Sequence, residues 1–386
     1  MGWSSKARTT RLAALAVTAV FLVALAASAS SSATSRLSRD AGIADAKKLV
    51  AQYEQPPKWA PPGKPFDASK AKGKQIWYVS LSLSIPFEQY MLQGIQQGAK
   101  SVGAKGVGFD SKFSAADGAR GIEQAIQAKA AVIMVGGLEP SLIGPALSDA
   151  EKAGIPVIMA NVQDPGPPRK DYPSAVKAFA THSFSWPGKA EADFVTVDSK
   201  GKANILFMST SDLPNITGPE KNAFLDELKR VCPECKTDVM NVPSSQWNQL
   251  QTKTASYIRA HPDVQYIVPD FDGMVIFALP GVHSAGAQGK VKIVSFNATP
   301  SVMKALKNHD VVVAETGGPN LLQGWAFADQ ALRVAAGVKP LSDIGIKDRL
   351  FDASNINSIN LKAQESTWYG NTDYVAAYKK LWGADK

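Results

Sequence analysis

Gln124-Ala125-Ile126-Gln127-Ala128-Lys129-Ala130-Ala131-Val132-Ile133-Met134-Val135 passes from a helical pattern straight into an unbroken apolar run. Ile122, Ala125 and Ile126 share one face of a helix expected over Ala115–Ala128. Ala131–Val135 is apolar at every position, as a parallel strand buried on both faces should be. Pro140–Ala153 then reads as a second helix and Pro156–Ala160 as a second strand. Strands separated by helices imply right-handed βαβ units in a parallel sheet.

The rhythm extends in both directions. Ile76–Ser80 and Gly106–Phe109 read as strands around a helix over Tyr90–Val102, where Met91, Ile95 and Ala99 recur at helical spacing. Further strands are expected at Ile205–Met208, Asp238–Val242, Tyr266–Val268, Ile293–Phe296 and Val311–Ala314, with helices between them. These suit an α/β architecture of two Rossmann-like lobes with parallel sheets. The expected division is 74–181 plus 317–340 for the first lobe and 182–316 for the second, joined by crossings near 181, 297 and 317. Residues 341–386 form a tail packing on the lobes, with an amphipathic helix at Tyr374–Leu381.

The N-terminal part has a different character. Lys6, Arg8 and Arg11 precede an apolar run from Leu12 to about Ala27, and Ala27-Ser28-Ala29 offers a small-residue cut. That layout reads as a secretory signal over 1–29, with an uncleaved anchor as the competing reading. No cysteine lies near the cut, which excludes a lipid anchor on an N-terminal Cys. Residues 30–73 are an extension: a short helix over Asp40–Tyr53, then a proline-rich linker from Pro56 to Pro65 with Trp59 and Phe66 as packing points.

The formal charge of +8 falls by three once the signal leaves. The remaining cations are spread out, which argues against a nucleic-acid footprint. The two cysteines, Cys232 and Cys235, follow an expected helix in an exported chain. A local disulfide closing that turn is the reading adopted.

In an open parallel sheet, ligands bind beyond the carboxyl ends of the strands. The residues falling there are Ser82, Ser84, Phe87 and Glu88, then Asn161, Trp247, Asp270, Phe271, Asn297 and Gly317. Phe87 and Trp247 offer ring faces that bury area without demanding hydrogen bonds. Asn161 and Asn297 each offer an acceptor and two donors, suited to an uncharged polyol or amide. Asp272 reads as the N-cap of a helix over Gly273–Ser284, and Asp270 as a carboxylate open to the cleft. No catalytic set accompanies them. His182, His261, His283 and His309 are scattered, and neither a nucleophile elbow nor a phosphate loop is present. No cofactor or metal is expected, since the flanks of Asp270 and Asp272 lack the roughly six oxygens that calcium needs.

Several stretches resemble the type I periplasmic binding proteins, the ribose- and galactose-binding group. They are Gln124–Val135 with Ala150-Glu151-Lys152-Ala153-Gly154-Ile155-Pro156-Val157-Ile158, then Ser295-Phe296-Asn297-Ala298-Thr299-Pro300, and Asp270-Phe271-Asp272-Gly273-Met274. Trp247 takes the place of an aromatic that stacks on the sugar in that family. The resemblance covers about 74–340. It implies a binding protein of an ABC importer, not an enzyme, expected to be a monomer that delivers a small neutral ligand to a membrane permease. The ligand implied is a monosaccharide or polyol. Some family positions differ: Asn161 and Asn297 replace acids, Phe271 replaces an Asn, and an expected Arg is missing near Gly218. These keep open a less polar aromatic or amine ligand in the same fold, and a sensor subunit that presents its ligand to a receptor.

Overall fold

The computed structural model describes residues 38–166 and 172–384; the expected signal segment lies outside them. Among the described residues, eleven strands form two sheets. The first contains β1 (Gln75–Ser80), β2 (Lys105–Asp110), β3 (Val132–Gly136), β4 (Val157–Ala160) and β5 (Val176–Ala180), in the order β2-β1-β3-β4-β5, all parallel. The second contains β6 (Asn204–Thr210), β7 (Lys236–Val242), β8 (Tyr266–Pro269), β9 (Lys292–Phe296), β10 (Val312–Gly317) and β11 (Arg349–Asp352), in the order β11-β10-β9-β8-β6-β7. Only β11 runs antiparallel, against β10.

Helices cover both sheets because every parallel connection must return the chain to the same edge. In the first lobe α2 (Pro86–Ser101), α3 (Ala115–Gln127) and α4 (Gly144–Lys152) make those returns. A helix late in the sequence, α10 (Asn320–Ala336), packs beside α2. The α2–α10 approach is so close that a Cβ on Gly94 would sit 2.6 Å from the Gly324 backbone. The second lobe uses α5 (Ser185–Asp198), α6 (Pro214–Val231), α7 (Leu250–Ala260), α8 (Asp272–Ser284) and α9 (Pro300–Lys307). Its equivalent close pair is α5 with α6, where a Cβ on Gly188 would come within 2.2 Å of the Glu220 carbonyl oxygen.

The chain passes between the sheets at 181–184, at 318–319 and over 337–348. The crossing expected near 297 is not one of them. β9 and β10 pair in the same sheet, and α9 lies between them on the same lobe. Just before the crossing near 181, Val176–Ala180 forms edge strand β5, which the expected strands did not include.

Both ends of the chain reach across the lobes. Helix α1 (38–53) buries Ala46 and Val50, and Gly42 lies against the Val231 carbonyl on the second lobe. The prolines then keep the chain extended to the first lobe. There Trp59 packs on Tyr378, with ring centroids 5.4 Å apart, and the Phe66 N–H donates to the Leu381 carbonyl at 2.8 Å. At the other end, Trp368 and Tyr369 enter the core of the second lobe. Helix α11 (Tyr374–Leu381) leads to Trp382, which stacks on Trp325 of the first lobe at 5.5 Å. Cys232 and Cys235 are disulfide-bonded in the turn between α6 and β7.

Candidate functional site

A cleft lies between the lobes, and its lining residues follow the carboxyl ends of strands from both sheets. The first lobe contributes Leu81, Ile85, Phe87 and Glu88 after β1, Gly137 after β3, and Asn161 after β4. His182 and Phe184 come from the first crossing. The second lobe contributes Leu213 and Ile216 after β6, Trp247 after β7, Phe271 and Gly273 after β8, and Asn297 after β9. The walls are therefore mainly apolar, with four polar side chains set into them.

Two of those four are equivalent by position. Asn161 continues the β4 ladder by donating its N–H to Ala180, and Asn297 continues β9 by donating to Thr316. Both then turn with positive φ, 49° and 117°, a conformation Asn tolerates better than most residues. The Asn161 Oδ1 accepts from Gln323 Nε2 at 3.0 Å, which leaves its Nδ2 buried and without a protein partner. Glu88 is held from below: Tyr78 Oη and Ser80 Oγ both donate to its Oε2, at 2.6 and 2.7 Å. Burial pushes the Glu88 carboxyl above the ordinary range, and those two donated bonds pull back against it.

The rings form a continuous wall. Trp247 meets Phe113 of the first lobe edge-on at 5.7 Å and Phe271 at 6.4 Å. Gly273 makes room for it, since a Cβ there would lie 2.9 Å from Trp247 Cζ3. Phe271 and Phe184 each lie 6.3 Å from Phe296 in the strand below.

The lobes also touch directly at the rim. Glu139, after β3, accepts from the Asn215 N–H at 3.1 Å and from Asn215 Nδ2 at 2.5 Å. Asn215 stands in the first turn of α6, and that helix has no side-chain cap of its own. A carboxylate from the opposite lobe thus fills the capping role and meets the positive end of the helix dipole.

Of the residues singled out in the sequence, Phe87, Glu88, Asn161, Trp247, Phe271 and Asn297 come together in the cleft. Four do not line it. Ser82 and Ser84 share a hydrogen bond at 2.9 Å within their own loop. Gly317 lies under the Asn297 backbone, where a Cβ would approach to 2.8 Å. Asp270 is fully buried, its Oδ2 accepting from the Thr210 N–H. Asp272 is no N-cap either. The helix begins at Asp272 itself, and its carboxylate accepts from Ser295 Oγ at 2.9 Å and from Thr299 N and Oγ1 at 2.7 and 2.6 Å. It fixes the β9–α9 turn, which carries Asn297.

The cleft residues absent from the sequence reading are mostly apolar: Leu81, Ile85, Leu213, Ile216 and Phe184. Each follows a strand end, so position was the available signal, but an apolar side chain there has the same pattern as core. His182 and Phe184 follow β5, a strand absent from the expected set.

The sequence pattern described as periplasmic binding protein domain matches residues 76–339. The chain belongs to the periplasmic binding protein family. Members of this family are extracytoplasmic solute-binding proteins, and among the described residues no helix is long and apolar enough to cross a membrane. The ribose import binding protein of Bacillus subtilis strain 168 is 21% identical over 279 residues, spanning 71% of this chain and 85% of that protein. A galactofuranose-binding protein has a similar fold, with a TM-score of 0.66 at 18% identity over 77% of this chain and all (100%) of the other. So does an ABC transporter solute-binding protein from Agrobacterium vitis with bound allitol, with a TM-score of 0.66 at 17% identity over 76% and 100% of the two chains. Periplasmic binding proteins of this type share the pair of parallel sheets seen here.

Proposed function

We propose that this periplasmic binding protein captures a neutral monosaccharide or polyol in the interlobe cleft and delivers it to the permease of an ABC importer. The observation that carries this is the pairing of ring faces with uncharged amides across the cleft. Trp247 and Phe87 cover apolar C–H surface, while Asn161 and Asn297 reach in from equivalent strand ends of opposite lobes. Among the described residues no Arg or Lys lines the cleft, so an anionic ligand would find no counter-ion. The relatives that import ribose and the neighbour with bound allitol support the same ligand class. Export by a cleaved signal over 1–29 and action as a monomer belong to this reading. Glu139 and Asn215 make their contact only when the lobes meet, so ligand contacts to both lobes would favour the closed form.

A thermal-shift panel of the chain from Ser30 onward tests the ligand class. At about a hundred times its dissociation constant, a sugar or polyol should stabilise the fold by roughly 2.7 kcal/mol. A shift with aromatic amines and none with sugars would move the ligand to the less polar class.

A further inference from the structure

Among the polar side chains of the cleft, His182 carries a buried atom that packing leaves unpaired. Its ring stacks on Phe296, with centroids 5.1 Å apart and an interplanar angle of 26°, and meets Phe184 edge-on. Nδ1 lies 3.3 Å from Asp348 Oδ1. Nε2 is buried, has no partner in the protein, and belongs to a side chain that lines the cleft. A buried imidazole nitrogen left unpaired costs free energy unless something fills its place.

The position of this pair in the fold matters more than its chemistry alone. His182 stands on the first crossing between the lobes, and Asp348 ends the third, just before β11. The second crossing runs beside Asp348: a Cβ on Gly318 would come within 2.9 Å of Asp348 Oδ1. All three connections therefore converge on one histidine–aspartate contact. The same histidine turns its other nitrogen to the site.

We propose that His182 is a ligand-contacting residue whose Nε2 accepts a hydrogen bond from a hydroxyl of the captured sugar, with Asp348 as its positioning residue. A carboxylate only accepts, so the proton of the neutral ring sits on Nδ1 and Nε2 is left as the acceptor. This complements Asn161, whose Nδ2 is the free donor because Gln323 occupies its Oδ1. A hydroxyl both donates and accepts, so it satisfies this pair better than a carbonyl or a quaternary amine would. The bond also links occupancy to the crossings, since the atom that meets the ligand is on the ring that Asp348 holds.

The inference rests on the sugar or polyol reading, and two measurements separate their failures. The first is nitrogen-15 NMR of the histidine-labelled, ligand-free protein at pH 8, with His182 assigned by its loss in His182→Phe. The expected signal is the Nδ1–H tautomer, converting toward Nε2–H in Asp348→Asn. An Nε2–H tautomer in the wild type overturns the proposal whatever the protein binds. The second is titration with D-ribose, D-allose and allitol. His182→Phe keeps a ring against Phe296 and should weaken binding of the active compound at least tenfold, as should Asp348→Asn. Binding by His182→Phe at wild-type affinity overturns the proposal while leaving the sugar reading intact. If the wild type binds none of the three, the sugar reading fails, and the tautomer still decides the dyad.

Discussion

The two lobes repeat one βα plan, yet three buried acids of the second lobe lack the full set of donors that the deep acids of the first lobe have. In the first lobe each acid deep in the fold has donors. Asp329 takes Arg333 Nε on one oxygen and Trp382 Nε1 on the other, both at 2.7 Å, and Glu88 takes Tyr78 and Ser80. The second lobe buries Glu191, Glu220 and Asp270 completely and leaves them short. Both Glu220 oxygens, Glu191 Oε2 and Asp270 Oδ1 lack a hydrogen-bond partner. Burial and mutual repulsion push Glu191 and Glu220 well above the carboxylate range, and burial pushes Asp270 up to about 8. Burial raises the acids of both lobes, but in the first lobe donated hydrogen bonds pull back against it, whereas in the second repulsion between Glu191, Glu220 and Asp270 adds to it.

Substitution should give opposite signs in the two lobes. The largest effect is expected from Asp329→Asn, which strands Arg333 in the first lobe and should cost about 3 kcal/mol in denaturant unfolding. Asp270→Asn should stabilise the second lobe by about 2 kcal/mol at pH 8. The sign follows from linkage. The folded-state pKa of Asp270 is raised, so between roughly pH 4 and 8 the native state holds a proton that the unfolded chain has released. Stability is highest on the acid side of that window and is lost as pH rises through it. The variant should flatten this slope, and its advantage should vanish near pH 4. A destabilised Asp270→Asn at pH 8 would erase the contrast between the lobes. A smaller effect, about 1 kcal/mol, is expected from Glu139→Gln at the rim, where a charged cap becomes a neutral one. Hydrogen exchange should speed up in the first turn of α6 and remain unchanged in α2.

Much of this architecture is legible in the sequence because parallel strands are buried on both faces and read as apolar runs. Ile76–Ser80, Tyr266–Val268 and Ile293–Phe296 each lie within an observed strand. Two strands escaped for physical reasons. β5 is an edge strand interrupted by exposed Lys177, and β11 pairs antiparallel after the helical rhythm has ended. Asp270 and Asp272 show the limit of local rules. The capping preference of Asp suggested a helix start for one, but tertiary partners at Thr210 and Thr299 determined where both side chains went. Position after a strand brought six of the ten suggested residues into the cleft. It could not reveal Glu139 with Asn215 or His182 with Asp348, since those contacts join segments far apart in the chain.

The central claim is that the cleft between the lobes is where the solute is held. Calorimetric titration of the active sugar or polyol into the wild type, Trp247→Ala and Asn161→Ala tests it most directly. The account predicts one site per chain in the wild type, at least a tenfold loss of affinity in Asn161→Ala and no measurable binding in Trp247→Ala. Wild-type affinity in both variants would place the ligand elsewhere and contradict the account.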